Sequence, residues 1–242
     1  MVYVDARRKP PLAERLRRLL LTSLVMLLLL GLVAGALAIR DAITAYHDRI
    51  ALRGFKGKPL PIELTVGTES LVIPANLIRF SADRRGGLVT AVDLLLLWPD
   101  LDGFSEQRAK VFRDASAQAP LLYVTITEAE TPLDARRRLN DLYARYFHGP
   151  EFAGPDGLVG RYMDPQSSYR GEIVYFSEDG PDTYVVRCLA EETEEIPATC
   201  IREVDIGHGL TMLYRFNHAW LGDWKTMDER LRALVEQFHR SP

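Results

Sequence analysis

Residues 172–216 contain four short segments rich in β-branched and aromatic residues: 172–176 (EIVYF), 183–189 (TYVVRCL), 199–205 (TCIREVD) and 210–216 (LTMLYRF). Residues that favour turns separate several of them, as in the acidic loop 177–182 and in Gly207-His208-Gly209. Strands that follow each other closely along the chain usually pair with each other. The stretch therefore predicts an antiparallel meander of four strands.

A terminal helix is predicted directly after the meander. Asn217 is a suitable N-cap, and apolar residues then recur every three or four positions. The apolar set is Leu221, Trp224, Met227, Leu231, Leu234, Val235 and Phe238. Because the connection after the last strand is short, we expect the helix to lie across the same sheet.

Cys188 and Cys200 are the two cysteines of the chain. They fall in consecutive predicted strands, so antiparallel pairing can bring them opposite each other. Their spacing is not that of a Cys-x-x-Cys redox motif. In an exported domain, we expect such a pair to form a structural disulfide.

Further elements are predicted upstream of the meander. The strands are 62–66, 70–74, 88–98, 121–127 and 158–163, and the helices are a single turn at 75–80, then 105–116 and 131–147. The hairpin of the first two strands turns at 67–69. Residues 94–98 are all apolar, which predicts a central strand covered on both faces. Together with the meander, these elements predict an α+β domain with a largely antiparallel sheet.

The helix 131–147 has the clearest predicted limits. Thr131 fits its N-cap, Pro132 fits its first position, and Gly149-Pro150 is expected to stop it. The Arg136-Arg137-Arg138 triplet is expected to form a solvated helix face. Several glycines and prolines follow, so residues 148–171 are predicted to be a long loop around one short strand.

Residues 19–39 (LLLTSLVMLLLLGLVAGALAI) carry no charge. As a helix they would be about 31 Å long, which matches the hydrocarbon core of a bilayer. Basic residues dominate the segment before them: Arg7, Arg8, Lys9, Arg15, Arg17 and Arg18. The positive-inside rule then predicts a cytoplasmic tail at 1–18, a transmembrane helix at 19–39 and an exported remainder.

A signal peptide cleaved after Ala38 is the alternative, because Ala36-Leu37-Ala38 has the form that signal peptidase accepts. After the membrane segment, residues 40–61 are predicted to be a stalk and linker, and 62–242 a periplasmic domain. No asparagine begins an Asn-x-Ser/Thr acceptor, which fits a bacterial periplasm. The sequence thus predicts a single-pass inner-membrane protein with a cytoplasmic amino terminus, bound to the lipid bilayer through residues 19–39.

The charge distribution argues against a nucleic-acid partner. Residues 1–40 carry 7 Lys and Arg against 2 Asp and Glu, whereas residues 41–242 carry 23 against 31. Binding to phosphates needs a surplus of clustered basic residues, and the predicted domain is acidic.

Known enzyme motifs are absent from the sequence: there is no Gly-x-Ser-x-Gly, His-Glu-x-x-His, phosphate loop or Gly-x-Gly-x-x-Gly. Asp100-Leu101-Asp102-Gly103 resembles the start of a calcium loop, but its glycine comes two positions early, so a turn is expected. Trp98, Trp220 and Trp224 are expected in the core.

Two groups of residues have side chains suited to metal binding or acid–base chemistry. Asp205 with His208, backed by Glu203, has ligand types that suit a metal, although such residues are common on a hairpin without one. His148 beside Glu151 offers an acid and a base for a cleft, but interaction of His148 with a helix end is favoured. The sequence therefore assigns no catalytic residue, no cofactor and no metal.

The carboxyl-terminal part, from residue 188 onward, resembles single-pass envelope proteins of Gram-negative bacteria. The similarity is carried by Cys188, Cys200, the segment 210–216 (LTMLYRF) and Trp224. It implies no activity and no catalytic residue. We therefore expect a non-enzymatic interaction module with an envelope protein partner. The alternatives are an envelope hydrolase acting on cell-wall or lipid-derived substrate and a small-molecule-binding sensor domain.

Overall fold

The structure is a computed structural model. It describes residues 58–114, 116, 118–129, 134–178, 183–190 and 198–239, with 20–23, 26–27, 29–31, 35 and 39 near the amino terminus. The chain divides into two compact units, 1–50 and 51–242. In the first unit, the described residues are helical. Among all described residues, no helix has both the length and the apolar character needed to span a membrane.

The predictions for the amino terminus fall largely on other residues. The tail 1–18, the motif Ala36-Leu37-Ala38 and the linker up to residue 57 lie outside the described residues, as does about half of the segment 19–39. The second unit is described almost throughout, and it holds every strand given below.

The second unit has an α+β fold. Its strands are β1 (Pro61–Val66), β2 (Glu69–Pro74), β3 (Gly87–Val89), β4 (Ala91–Leu97), β5 (Leu121–Glu128), β6 (Phe147–Ala153), β7 (Val159–Met163), β8 (Glu172–Ser177), β9 (Tyr184–Leu189), β10 (Thr199–Gly207) and β11 (Leu210–Asn217). Its α-helices are α1 (Ala109–Phe112), α2 (Ala135–Arg137) and α3 (Trp224–Glu236). One π-helix (Arg138–Leu142) and short 3-10 segments (Asp83–Arg85, Glu106–Arg108, Tyr143–Tyr146, Pro155–Gly157 and His218–Asp223) complete it.

The strands form two sheets. The larger sheet has the order β4-β5-β11-β10-β9-β8-β7-β6, and all its pairs are antiparallel. It contains β8 to β11 as consecutive neighbours, so the predicted meander is confirmed. The smaller sheet has the order β2-β1-β3, and its β1–β2 hairpin is confirmed with the pair Val66–Glu69 beside the turn.

The main core lies on one face of the large sheet. There, buried side chains of β4, β5, β10 and β11 pack with those of the small sheet and of α3. The opposite face is covered near its two ends. Phe104, Ala109 and Phe112 cover one end, and Leu139 and Tyr143 cover the other.

The prediction that 88–98 forms one central strand is wrong in two respects. Residues 88 and 89 belong to β3 of the small sheet, and only Ala91–Leu97 form a strand of the large sheet. β4 is buried on both faces, but it lies at the end of the large sheet.

The outer side chains of β4, Leu95 and Leu97, pack in one cluster with Phe104, Ala109, Phe112 and Ala119. Backbone bonds from Leu77 and Arg79 cover part of its free edge. An uninterrupted apolar run indicates that both faces of a strand are buried. It does not indicate whether the strand has neighbours on both sides within the sheet.

The predicted helix 131–147 is shorter and irregular. Asp134 caps α2, because its carboxylate accepts a hydrogen bond of 2.7 Å from the backbone N–H of Arg137. Thr131 and Pro132 lie outside the described residues. Gly149 and Pro150 do not end the helix but lie in β6, so the predicted loop 148–171 in fact contains both β6 and β7. Proline is tolerated there because β6 is an edge strand.

Two other helix predictions differ from the structure. Residues 75–80 form a turn and a bridge between Ile78 and Leu94, so they are not helical. The helix predicted over 105–116 is limited to Glu106–Arg108 and α1, and Ser105 makes no side-chain capping bond.

The predicted terminal helix is confirmed. Asn217 caps its first turn by accepting a hydrogen bond of 2.7 Å from the backbone N–H of Ala219. The side chains that pack into the main core are Leu221, Trp224, Met227, Leu231, Val235 and Phe238, with Leu234 partly buried beside them. The helix therefore docks on the sheet formed by the preceding strands.

The predicted disulfide is also confirmed. Cys188 of β9 lies opposite Cys200 of β10, with 4.0 Å between their Cα atoms, and the two sulfur atoms are bonded. Both cysteines are buried in the main core. The bond thus links two neighbouring strands at one end of their contact.

Replacing Cys188 and Cys200 together with serine is expected to lower the free energy of unfolding by about 3 kcal/mol, because the bond closes a short loop and limits the unfolded ensemble. Urea unfolding of the full chain in detergent, followed by tryptophan fluorescence, measures the change. Wild-type protein under reducing conditions is the matched comparison. Equal stability of the oxidised, reduced and double-serine forms would contradict a stabilising role.

Candidate binding cleft

The large sheet is split between β9 and β10. These strands pair at only two positions, Cys188–Cys200 and Arg187–Ile201, although β9 pairs with β8 at six positions and β10 pairs with β11 at eight. Beyond the Arg187–Ile201 pair, the two strands are no longer paired. An open cleft of about 550 Å³ lies where they diverge.

The cleft is bordered by several parts of the fold. Thr183 precedes β9 on one side, and residues 202–207 of β10 lie on the other. The remaining lining residues are Thr211 of β11, Arg232 of α3, and Asp134, Ala135, Arg136 and Arg138 in and around α2. Its charged lining residues are Arg136, Arg138, Arg202, Arg232, Asp134, Glu203 and Asp205. The walls therefore carry both positively charged guanidinium groups and negatively charged carboxylate groups.

Arg202 forms the floor of the cleft and bridges the split. Its side chain is 2% exposed and makes a two-pronged ion pair with Asp228 of α3, at 2.9 and 3.2 Å. It also donates a hydrogen bond of 3.1 Å to the carbonyl of Val185 on β9, and its guanidinium lies 4.1 Å from the ring centre of Tyr184. Arg202 thus joins the separated strands where ladder bonds are missing.

Asp228 is the centre of a polar network in the core. It also accepts hydrogen bonds from the Tyr214 hydroxyl at 2.9 Å and from Arg232 at 3.1 Å. Burial by itself would raise the pKa of Asp228, but the nearby guanidinium groups of Arg202 and Arg232 outweigh it and hold that pKa below its usual value. Asp228 is therefore ionised at neutral pH.

The tyrosines of the network keep their protons. Burial raises the pKa of Tyr184 and of Tyr214 above the usual tyrosine value. Tyr214 therefore acts as a neutral donor to Asp228. The network gives the ionised carboxylate three donor side chains, which is what a buried charge requires.

The rim of the cleft carries more exposed charges. Arg138 is paired with Glu203 at 2.7 Å, and Arg232 donates to the backbone carbonyl of Asp205 at 3.1 Å. Arg136 is 58% exposed and pairs at 3.6 Å with the carboxylate of Glu178, itself 51% exposed. Arg136 is the most exposed of the arginines that line the cleft. The arginine triplet was expected to form a solvated helix face. Arg136 and Arg138 also line the cleft, so solvent is only part of the environment of these two side chains.

The structure separates the residues that suggested a metal site. Glu203 and Asp205 line the cleft, where Glu203 binds Arg138 and the Asp205 carboxylate accepts a bond from the backbone N–H of Gly207. His208 lies instead in the β10–β11 turn, with its ring beside that of His239. Among the described residues, no group of three metal-ligating side chains includes Asp205 or Glu203. A bulge and a turn separate Asp205 from His208 along the chain.

The residues considered for a catalytic pair and for a calcium loop lie outside the cleft lining. His148 and Glu151 are exposed on β6, outside the cleft lining, and Glu151 pairs with Arg161 at 3.2 Å. Asp100 and Asp102 both bind Arg108, at 3.5 and 2.7 Å. That arrangement agrees with the expected turn.

The tryptophan prediction is confirmed for the core. Trp98 and Trp224 are each 8% exposed, and Trp220 is partly buried against the same cluster. Trp224 also packs against Tyr184, with 4.3 Å between ring centres.

The sequence reasoning missed Arg202 and Asp228. A signal was present, because each charge occupies an inward position of its element. Arg202 alternates with outward residues of β10, and Asp228 follows Trp224 by four residues on the apolar face of α3. Two opposite charges at positions predicted to be buried indicate an ion pair.

Two proteins of known structure have a similar fold. No protein-family profile matches the chain, and no curated protein sequence matches it. An immunity protein of the Stenotrophomonas maltophilia type IV secretion system shares the fold with a TM-score of 0.55 and 17% identity, over 79% of this chain and 98% of that one. The iron-regulated outer membrane lipoprotein FrpD of Neisseria meningitidis gives a TM-score of 0.51 and 12% identity, over 76% and 95%. At these identities the likeness shows a common α+β fold.

Proposed function

We propose that this chain is a single-pass protein of the bacterial inner membrane whose periplasmic domain binds another envelope protein without catalysing a reaction. Residues 1–18 lie in the cytoplasm and residues 19–39 form the anchor. The uncharged segment and its basic flank support this topology. The disulfide supports export, because such bonds persist mainly in oxidising compartments. The proposal places the chain among the envelope proteins that its carboxyl-terminal part resembles.

The cleft between β9 and β10 carries the proposal of a binding role. Its described lining includes no histidine, cysteine or serine, and its two hydroxyl groups belong to Thr183 and Thr211. A hydroxyl needs a neighbouring base, but the carboxylates that face the cleft are held by Arg138 and by backbone N–H groups. Catalysis by a protein side chain needs an available base or nucleophile. An open cleft bordered by arginines instead suits a polar segment of a protein, since arginine is enriched at interfaces.

The sheet edges support the cleft as the binding site. β6 carries Pro150 and a register shift between His148 and Phe152, and both features hinder the addition of a strand. At the other end of the sheet, backbone bonds between β4 and residues 77 and 79 occupy part of the edge. Binding by strand addition at either edge is thus disfavoured.

The structural neighbours are consistent with the proposal. The same fold occurs in a protein described as an immunity protein of a secretion system and in one described as an outer membrane lipoprotein. This supports a binding module over an envelope hydrolase or a sensor of small molecules.

A photo-crosslinking residue placed at position 136 of the full chain, in intact cells, is expected to join one partner protein. The same residue at position 137 is the matched control, because Arg137 is exposed on the same helix but does not line the cleft. Mass spectrometry identifies the adduct. Equal adducts at both positions, or none at 136, would exclude the cleft as the site.

With the partner purified, Arg136→Glu is expected to raise the dissociation constant about tenfold, because one charge-assisted hydrogen bond is lost. Arg137→Glu should leave it within about twofold. Titration of the full chain in detergent measures both values. An unchanged affinity for Arg136→Glu would contradict the assigned surface.

A further inference from the structure

Glu69, His208 and His239 form a cluster outside the cleft. Each offers one atom that can bind a metal ion, and these three atoms all lie within 4.8 Å of one another. Glu69 begins β2, His208 lies in the β10–β11 turn, and His239 follows α3. The cluster therefore joins the small sheet, the large sheet and the terminal helix.

The backbone holds the three residues in place. Phe238, just before His239, accepts a hydrogen bond of 2.7 Å from the backbone N–H of Val72 on β2, and His239 itself forms a bridge with Leu71. The Gly209 carbonyl accepts a bond of 2.8 Å from the N–H of Ala129. The cluster is thus fixed by main-chain bonds on both sides.

One of the two imidazole rings has a buried nitrogen atom without a hydrogen-bond partner among the described residues. The ring centres are 4.5 Å apart with a tilt of 35° between the planes. The Nε2 atom of His239 is buried and has no hydrogen-bond partner within the described part of the chain. Buried polar atoms normally have a partner, and a ring nitrogen without one is a ready ligand for a cation.

His208 is also held in an uncommon conformation. Its φ is +54°, in the left-handed region that residues other than glycine rarely adopt. Glycines on either side make the tight turn possible. The turn presents the exposed imidazole beside the half-buried Glu69 and His239, so an ion can reach the cluster from solvent.

We propose that Glu69, His208 and His239 bind a divalent transition-metal ion of the zinc type. Two imidazole nitrogens and one carboxylate oxygen are a common ligand set for Zn²⁺, with a fourth position left for water. Mg²⁺ and Ca²⁺ prefer six or more oxygen ligands, which this cluster does not offer. Because the ligands come from three elements of the fold, the bound ion stabilises the folded state.

The test is zinc binding by the untagged full chain in detergent, after treatment with a chelator. Calorimetric titration should show one Zn²⁺ per chain, and the thermal midpoint, followed by tryptophan fluorescence, should rise by several degrees. Mg²⁺ should have no such effect. Absence of saturable zinc binding, or an equal response to Mg²⁺, would overturn the proposal.

His208→Asn is the decisive variant, because asparagine tolerates the left-handed backbone while removing the imidazole. It should weaken zinc binding at least tenfold without lowering the metal-free midpoint. Glu69→Gln tests the carboxylate in the same way. His148→Asn, at an exposed histidine of β6, is the matched control and should bind zinc as the wild type does. Wild-type affinity in His208→Asn would show that zinc binds elsewhere.

Discussion

Replacing Asp228 with alanine is expected to lower the free energy of unfolding by about 3–5 kcal/mol. The substitution leaves the buried guanidinium of Arg202 without its ion-pair partner, and an uncompensated buried charge is strongly destabilising. It also removes the acceptor of the Tyr214 hydroxyl. Urea unfolding of the full chain in detergent, followed by tryptophan fluorescence, measures the loss.

Glu229→Ala is the matched control, since Glu229 is the next residue of α3 and is exposed. It should change the stability by less than about 0.5 kcal/mol. A comparable loss in both variants would mean that the helix itself, and not the ion pair, is being disrupted. An unchanged stability of Asp228→Ala would show that Arg202 is satisfied without its carboxylate.

The effect of Asp228→Ala should also depend on pH. The pKa of Asp228 is lower in the folded protein than its usual value of 3.8. Ionised Asp228 therefore stabilises the fold fully above that usual value, and its contribution is lost as the pH falls through the lowered folded pKa. The difference between the wild type and the variant should shrink on acidification through this window.

Replacing Trp224 with alanine is expected to cost about 3–5 kcal/mol of stability, because it leaves a cavity in a packed core. Trp224 is 8% exposed, packs against the tilted ring of Tyr184 and donates a hydrogen bond of 3.2 Å from its indole N–H to the carbonyl of Asp156. The thermal midpoint, measured by near-ultraviolet circular dichroism of the full chain, should fall steeply.

Trp220→Ala provides the control, because Trp220 is only partly buried at the edge of the same cluster. It should lower the midpoint by less than Trp224→Ala does. If Trp224 were instead an exposed contact for a partner, its replacement would leave the midpoint nearly unchanged while weakening partner binding. That result would refute the packing role.

The meander and the terminal helix could be predicted because their signals are local. β-Branched and aromatic residues, with turn residues between the segments, identify the strands along 172–216, and the apolar spacing of three and four after Asn217 identifies an amphipathic helix. The disulfide followed from the same reasoning, because Cys188 and Cys200 lie in neighbouring strands. Predictions were wrong where the same residues are compatible with more than one structure. Gly149 and Pro150 were expected to end a helix, but they lie in an edge strand.

The cleft could not be predicted to the same extent. The residue types of β9 and β10 do not indicate that the pairing of these strands stops after two pairs. The two strands are instead bridged by Arg202, which binds the Val185 carbonyl on β9 and the carboxylate of Asp228, 26 residues further along the chain.

The sequence by itself determined the class of the domain, the order of its last strands, the terminal helix and the cysteine pair, because these depend on periodicity and on neighbours along the chain. The tertiary structure alone decided that β4 lies at a sheet edge, that Arg202 bridges a split sheet and that His208 meets Glu69 and His239. The physical reason is that periodicity reports which side of an element is buried. Which distant element covers that side is settled only by the free energy of the complete packed domain.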